Sequence, residues 1–372
     1  MLPDHGETPL ALRNCIQKVA TGPNYSKNLS YAEAYEAMQL ILQNADPVQA
    51  GVLLIALRMK RETDEENKGV LQAIIDKTKR MSVDLPELMD IADPYDGFTR
   101  GLPVAGFLPA VLAALGIPAV CHGLQAVGPK FGVTHRMVLK AAGVNVDVSP
   151  SQAAAQLTQP QTGWTYIDQS QYCLALHNLV DLRRRMVKRT CITTVEVLTG
   201  PMRASGVNHL MTGYVHNAYP PVYAELARFS GYDSALIMRG VEGGIIPSLQ
   251  QPANVFYYQA KGPEQMWQLN PKEMGIEHSN RAIPLPPDVA KSKTKGDAIA
   301  TTFDTHALAV LAAEKGMQAL AGEQGPAFDS LVIAAASCLK HLGRAESMPE
   351  AADQVRQVLT SGAALSRFQT LT

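Results

Sequence analysis

The chain has 372 residues, of which 46% are hydrophobic and 18% charged, and its formal net charge is −1. This composition supports a large core and more room than one small domain needs. The balanced charge and the 6% aromatic content exclude a globally basic protein and an obvious base-stacking surface, so nucleic acid could bind only at a local basic patch.

The five cysteines are dispersed along the chain and none forms a CxxC pair. This argues against a zinc site or a disulfide framework, and it favours a reducing, cytoplasmic location. The sequence offers no apolar run of membrane-spanning length and no signal-peptide pattern, so we expect no membrane partner.

The first third of the chain is predicted to be helical from its capping residues. Ser30 and Thr63 are each followed three residues later by a glutamate, the pattern of a capping box. Asp46 precedes Pro47, which is typical of the first position of a helix. We interpret residues 1–90 as a helical domain without catalytic residues.

From about residue 86 onward, strand-like and helix-like runs alternate, which predicts a mostly parallel sheet flanked by helices. The strand-like runs are 117–121, 164–167, 208–215 and 234–239. The helix-like runs are 106–115, 134–142, 171–199, 220–230, 300–322 and 328–342. Residues 243–296 are rich in proline and polar residues, and we expect them to contain paired extended segments.

Residues 117–143 combine a short apolar strand, a glycine-bearing loop and a helix. In α/β proteins this order presents backbone N–H groups to a phosphate or another anion. His122, Lys130, His135 and Arg136 add cationic or titratable groups to the stretch. An ordinary strand-to-helix connection with polar residues is the alternative interpretation.

Three segments in order resemble the anthranilate phosphoribosyltransferase (TrpD) family, which is glycosyltransferase family 3. They are GVLLIALRMKRET, the loop with His122-Gly123, and DSLVIAAASCLKHLGRAESMPEAADQVRQVLTSGAALSRF. The resemblance implies a small N-terminal helical domain and a larger α/β domain over 91–372, of the nucleoside phosphorylase and phosphoribosyltransferase type. It also implies that residues 171–199 return to the helical domain and that two copies form a homodimer through it.

A divergent branch of the family, the TrpD-like proteins of the YbiB type, resembles the chain more closely. The run that carries this resemblance is CLALHNLVDLRRRMVKRTCITTVEVLTGP. Described members of that branch bind nucleic acid and lack the transferase activity. The resemblance therefore suggests two different functions, phosphoribosyl transfer and nucleic-acid binding, which the fold alone does not distinguish.

The resemblance implies that an enzyme of this family cradles the pyrophosphate of PRPP in a GTGGDG loop and holds magnesium with an adjacent Asp-Glu pair. The matching loop here is ADPYDG, residues 92–97, which keeps only Asp96 and Gly97. Ile245 and Ile246 stand where the two carboxylates are expected, and Glu242 alone remains nearby. A single carboxylate is a poor magnesium site, so we predict no metal site in the protein itself.

The ligand loop implied by the resemblance is kept in part. Its matching residues are His122, Gly123, Lys130 and Gly132. The phosphate-binding serines are missing, although Thr134 could donate one hydroxyl group. His122 either contacts a ligand or fixes the loop by a hydrogen bond, and Arg183 either matches the acceptor-binding arginine of the enzymes or has a structural role.

A basic run follows in the segment that is predicted to be helical. Its candidates for nucleic-acid binding are Arg184, Arg185, Lys188 and Arg189. In a continuous helix the first and third of these share one face, and the second and fourth share another. That pattern suits a polyanion or a dimer groove, and a solvated helix face is the alternative.

Two functions from different classes remain open. One is a non-catalytic homodimer that binds nucleic acid through basic helices. The other is a transferase that moves phosphoribosyl from PRPP to an aromatic amine or base, which would need magnesium with PRPP. A weaker third option is a sensor of a phosphorylated small molecule that uses residues 122–134.

Overall fold

The computed structural model describes residues 9–22, 24–289 and 303–372. The chain begins with a helical bundle whose helices are α1 (Leu10–Val19), α2 (Tyr31–Leu42), α3 (Pro47–Lys60) and α4 (Asp64–Lys77). The predicted caps are confirmed, because Ser30 and Thr63 each accept a hydrogen bond from the glutamate N–H three residues on, and that glutamate side chain bonds back. Asp46 accepts hydrogen bonds from the first N–H groups of α3.

The α/β part of the described chain is built on a seven-stranded sheet with the order β4-β3-β2-β6-β7-β8-β9. The strands are β1 (Met81–Val83), β2 (Glu87–Ala92), β3 (Ala119–Gly123), β4 (Trp164–Asp168), β5 (Met202–Ala204), β6 (Val207–Gly213), β7 (Ser234–Met238), β8 (Ala253–Tyr258) and β9 (Gln265–Leu269). The pairs from β4 to β7 are parallel, and β8 and β9 add antiparallel pairs at one edge. The predicted mostly parallel sheet is confirmed, and β1 pairs with β5 in a separate small sheet.

Helices cover both faces of the sheet, as a parallel sheet requires. The helices that follow the bundle are α5 (Leu108–Ala114), α6 (His135–Ala141), α7 (Pro150–Thr158), α8 (Gln169–Tyr172), α9 (Leu174–His177), α10 (Val180–Met186), α11 (Cys191–Val195), α12 (Tyr219–Ser230), α13 (Thr305–Leu320), α14 (Pro326–His341), α15 (Met348–Thr360) and α16 (Ala363–Gln369). Along β2 the alternation sends Met89 and Ile91 into the core beneath α5 and α14, and Leu88 into the core shared with the bundle. The bundle therefore shares a core with one face of the sheet, and a second core lies on the other face.

The expectation of helix throughout 171–199 is wrong in one respect. The segment contains the short helices α9, α10 and α11 and a 3-10 turn, and α10 ends at Met186 because Val187 adopts a left-handed conformation with φ of 61°. The basic run therefore does not continue along one helix, and the predicted sharing of faces fails. The segment does return to the bundle, where α10 and α11 contact α3 and α9 and α11 contact α4.

Residues 243–296 contain the paired strands β8 and β9, as expected, although 290–296 lie outside the described residues. Residues 300–302 of the predicted helix 300–322 also lie outside them. Within the described chain, no helix is both long and apolar enough to cross a membrane.

Candidate functional site

The parallel strands end at one edge of the sheet, where ligands bind in α/β proteins of this type. The loops that meet there follow β2, β3, β6 and β7, and they contain Asp93–Gly97, Leu124–Thr134, Tyr214–Ala218 and Arg239–Gly244. Sequence order hides this meeting, because the first and last of these loops are more than a hundred residues apart.

The loops after β2 and β3 are joined to each other through their backbones. The Gly132 N–H donates to the Asp96 carbonyl at 2.8 Å, and Phe98 and Val133 exchange two hydrogen bonds. Gly97 has a φ of +74°, and a Cβ there would lie 2.6 Å from the Gly132 carbonyl carbon. Gly97 and Gly132, predicted as anion-binding residues, here allow the two loops to cross closely.

Both aspartates of the first loop form polar contacts with other residues of the protein. Asp93 accepts a hydrogen bond from the Ile245 N–H at 2.7 Å, and its other oxygen lies 2.9 Å from His135 Nε2. Asp96 is 2% exposed and accepts a hydrogen bond from Arg189 Nε at 2.9 Å. Asp96, predicted to contact an anion, is therefore the partner of a cation.

Glu242 is the most heavily bonded carboxylate of this edge. It accepts hydrogen bonds from the Thr99 N–H at 3.1 Å, the Thr99 hydroxyl at 3.1 Å and the Arg100 N–H at 2.7 Å. Lys130 Nζ donates to the same carboxylate at 3.2 Å. Lys130, predicted to contact an anion, therefore does so within the protein.

His122 is fully buried at the end of β3. Its Nδ1 lies 2.5 Å from the Tyr95 hydroxyl, its Nε2 lies 2.7 Å from Asp90 Oδ1, and Tyr95 also contacts Tyr172. Burial raises the pKa of both tyrosines, so their hydroxyls stay protonated. Of the two interpretations offered above, this geometry favours the loop-fixing hydrogen bond over ligand contact.

Gly123 and Thr134 also serve the scaffold. Gly123 is buried and pairs with Asp168 of β4. The Thr134 side chain caps α6 by accepting from the Met137 N–H at 3.3 Å, and its hydroxyl lies 3.3 Å from the Gln125 carbonyl. Neither residue presents a free group to a ligand.

Arg183 does not reach the ligand loop. Its two terminal nitrogens donate to the two oxygens of Glu196 at 2.7 Å and 2.6 Å, and the side chains are 4% and 0% exposed. This buried, bidentate pair supports the structural interpretation of Arg183. The acceptor-binding role has no support in this geometry.

The other basic residues of the run are exposed. Arg184 and Arg185 share the Asp181 carboxylate, which lowers the pKa of Asp181, and both arginine side chains are more than half exposed. Lys188 is exposed, and Arg189 is 46% exposed while it pairs with Asp96. These cations outnumber the carboxylates that they contact.

Two of the open clefts that Glu242 lines contain arginine side chains. The interdomain cleft lies between the bundle side and the loop after β6, where Arg58 donates to the Tyr219 hydroxyl at 3.0 Å. The arginine cleft is lined by Arg100, Arg239 and Arg281. These three arginines form no pattern in the sequence, because they are scattered along the chain and only folding brings them together.

The donor set does not fit magnesium with PRPP. Ile245 is buried where a carboxylate would be needed, and Glu242 is engaged by four donors. Within the described ranges, no group of three His, Cys, Asp or Glu side chains could hold a metal ion. The absence of a metal site in the protein itself stays a prediction.

Comparison with known proteins decides the family. Residues 13–78 match the helical bundle domain of the glycosyl transferase family, and residues 102–283 match its a/b domain. The chain belongs to this family. Its two matched regions agree with the bundle and the sheet described above, and the resemblance to the TrpD family found in the sequence is confirmed.

Similar members of the glycosyl transferase family cover nearly the whole chain. An anthranilate phosphoribosyltransferase of Thermomicrobium roseum is 26% identical over 360 residues, 96% of this chain and 94% of that protein. The structure of TrpD from Thermus thermophilus gives a TM-score of 0.73 at 22% identity over 97% of this chain and 98% of its own. The anthranilate phosphoribosyltransferase from Saccharomyces cerevisiae in complex with PRPP and Mg gives 0.75 at 16% identity, over 97% and 96%. The two structures share the fold with this chain.

Proposed function

We propose that the protein is a non-catalytic member of the glycosyl transferase family that binds nucleic acid through its phosphate backbone. The observation that carries the proposal is the state of Glu242, a carboxylate near the position of the family's metal pair. It accepts from the Thr99 and Arg100 backbone and from Lys130, so it is not free to hold a metal with pyrophosphate. The closer resemblance to the nucleic-acid-binding branch supports the same conclusion.

Exposed cations supply the binding surface in this proposal. The exposed ends of Arg184, Arg185 and Lys188 stand beside Arg189, which lines the interdomain cleft. Arginine and lysine at such spacing neutralise phosphates without reading base edges. Binding is therefore expected to be independent of sequence and to weaken steeply as salt rises.

The test replaces two exposed cations that have no buried partner. Arg185→Glu with Lys188→Glu should weaken binding to an oligonucleotide and lower the slope of log affinity against log salt by about one for each lost phosphate contact. Arg189 is left in place because it pairs with the buried Asp96. Gel shifts at several salt concentrations give both quantities.

A matched control carries the same change of charge elsewhere. Lys140→Glu with Lys272→Glu alters two exposed lysines that line neither cleft. We expect a smaller loss of affinity and a nearly unchanged salt slope. Equal losses in the two double variants would show that only net charge matters and would remove the site from the proposal.

The second candidate is phosphoribosyl transfer to an aromatic amine or base. It is favoured by the similarity to an anthranilate phosphoribosyltransferase over 96% of the chain. Calorimetry with PRPP and Mg²⁺ separates the candidates. Magnesium-dependent PRPP binding with turnover of anthranilate would overturn the non-catalytic proposal, whereas nucleic-acid binding without either would overturn the transferase.

A further inference from the structure

Four hydrogen-bond donors at the carboxyl edge of the sheet converge on one position. They are the backbone N–H groups of Thr99 and Arg100, the Thr99 hydroxyl and Lys130 Nζ, all between 2.7 and 3.2 Å from the Glu242 carboxylate. Successive backbone N–H groups beside an ammonium are a typical cradle for a phosphate or another oxyanion. Here a carboxylate of the chain itself fills the cradle.

Glu242 comes from a distant part of the chain and holds an uncommon conformation. Its φ is 56°, in the left-handed region that a non-glycine residue enters at a cost, and Gly243 and Gly244 follow it directly. The hydrogen bonds to the cradle offset that cost. If another anion took the cradle, Glu242 could relax through a segment with two adjacent glycines.

The donors would remain in place without Glu242. Lys130 Nζ also lies 3.8 Å from Asp96 Oδ1 and 5.5 Å from the centre of the Phe98 ring. The Thr99 and Arg100 N–H groups follow Phe98, which is bonded to Val133 on both backbone groups. The cradle is therefore fixed by contacts that do not involve Glu242.

The cradle is reachable from solvent. Glu242 lines both the interdomain cleft and the arginine cleft. Its side chain is only 6% exposed, so it covers the donors closely. Among the residues that the structure describes, no carboxylate forms an ion pair with Arg100, Arg239 or Arg281, and these arginines would attract an anion towards the cradle.

We propose that Thr99, Arg100 and Lys130 form a metal-independent site for a phosphate group, with Glu242 as a built-in competitor that the ligand must displace. The ligand class is a pyrophosphate or phosphomonoester, or one backbone phosphate of a nucleic acid. The inference rests only on the part of the proposed function that excludes magnesium-bound PRPP. It does not depend on the basic residues after Arg183.

The test is Glu242→Gly, which removes the competing carboxylate and suits the positive φ. The full chain is titrated with sodium pyrophosphate in EDTA at constant ionic strength, by calorimetry. We expect pyrophosphate to bind at least ten-fold more tightly than to the wild type, which corresponds to about 1.4 kcal/mol or more. Lys130→Met added to this variant should abolish the gain.

A second titration separates the two sources of phosphate. A single-stranded oligonucleotide without terminal phosphates is compared with pyrophosphate on Glu242→Gly, and a gain for either ligand supports the site. If the Glu242→Gly variant folds but binds neither ligand more tightly than the wild type does, the proposal is wrong. Pyrophosphate binding by the wild type that requires Mg²⁺ and is lost in the variant would also overturn the proposal, because Glu242 would then be a metal ligand.

A measurement on the wild type keeps the proposal testable if the variant does not fold. Amide signals of Thr99 and Arg100 in an NMR titration report directly on the cradle. Pyrophosphate in EDTA should shift both signals as Glu242 leaves. Unchanged signals at the highest pyrophosphate concentration would contradict the proposal. The oligonucleotide variants with altered Arg185 and Lys188 test nucleic-acid binding separately, so either idea can fail alone.

Discussion

Arg183 is a candidate ligand-binding residue in the sequence, but the structure gives it a structural role in an ion pair with Glu196. Both are buried, and each oxygen of the carboxylate accepts from one guanidinium nitrogen. Arg183→Met should leave Glu196 as a buried charge without its partner and destabilise the protein by about 3–5 kcal/mol. Urea unfolding measures this loss.

The double variant Arg183→Met with Glu196→Leu is the control for that prediction. Because it removes both charges, it should recover most of the lost stability. If Arg183→Met alone is as stable as the wild type but loses ligand binding, the structural role is wrong.

His341 makes a separate prediction about pH. Its Nε2 lies 2.9 Å from the Ser234 hydroxyl, which also contacts His209 Nδ1. Burial, reinforced by the nearby His209, lowers the pKa of His341 from its ordinary 6.5 to about 3. The unfolded chain therefore binds a proton at this side chain below pH 6.5, whereas the native state binds it only near pH 3. Because the unfolded state binds more protons between these pH values, the free energy of unfolding decreases as the pH falls through that range.

The free energy of unfolding is expected to decrease by up to about 1.4 kcal/mol for each pH unit as the pH falls from about pH 6 to about pH 4. His341→Gln keeps a polar side chain and removes the titration, so its stability should fall less steeply over the same range. Denaturant unfolding of both proteins at each pH measures the two slopes. Parallel slopes would mean that His341 is not a source of acid sensitivity.

Glu242 shows which features of a single site residue could be predicted from the sequence and which could not. The sequence shows that the expected pair of carboxylates is missing after Glu242, because Ile245 and Ile246 stand at those positions. The partners of Glu242 were not visible, since Thr99 and Arg100 lie more than a hundred residues earlier and contribute backbone N–H groups that any sequence possesses. A site made of backbone donors leaves no pattern of residue types.

At the scale of elements, local capping was the reliable signal. Ser30, Asp46 and Thr63 each begin a helix as predicted, because a side-chain cap acts within four residues. The strand β2 was missed although it is central in the sheet, since Pro86 and Pro94 next to its ends resemble loop punctuation. The helix α1 begins at Leu10 without a side-chain cap and was also missed.

The break after α10 shows why periodicity failed in the basic run. Nothing in the residue types marks Val187, because a β-branched residue rarely adopts a positive φ. Tertiary contacts impose the turn, since Arg183 is tied to Glu196 before it and Arg189 to Asp96 after it. The cations therefore spread around a turn, where Arg189 lines the interdomain cleft and the other three are exposed to solvent.

For the whole molecule, order along the chain was more informative than any single motif. The helical bundle, the ligand loop and the closing helices α14 to α16 occur in the sequence order that the resemblance required. The shared core explains why the order matters, because the segment 171–199 returns to α3 and α4 and packs in that core. The domain boundary near residue 90 stays a prediction.

The homodimer that the resemblance implies stays a prediction, and an exposed apolar face on the bundle offers a surface for it. Val48, Val52 and Met59 lie on one side of α3 and are 71%, 43% and 78% exposed. Their spacing of four and seven residues places them on a single stripe. We expect this stripe to pack against a second copy of the chain.

Val52→Lys with Met59→Lys should therefore convert a dimer into a monomer, because association would bury two charges without partners. Sedimentation velocity measures the change in mass. The matched control is Val207→Lys with Val310→Lys, which places the same charges on exposed valines outside the bundle and should leave the dimer intact. A wild type that sediments as a monomer, or dimers that survive the α3 changes, would exclude this face as the interface.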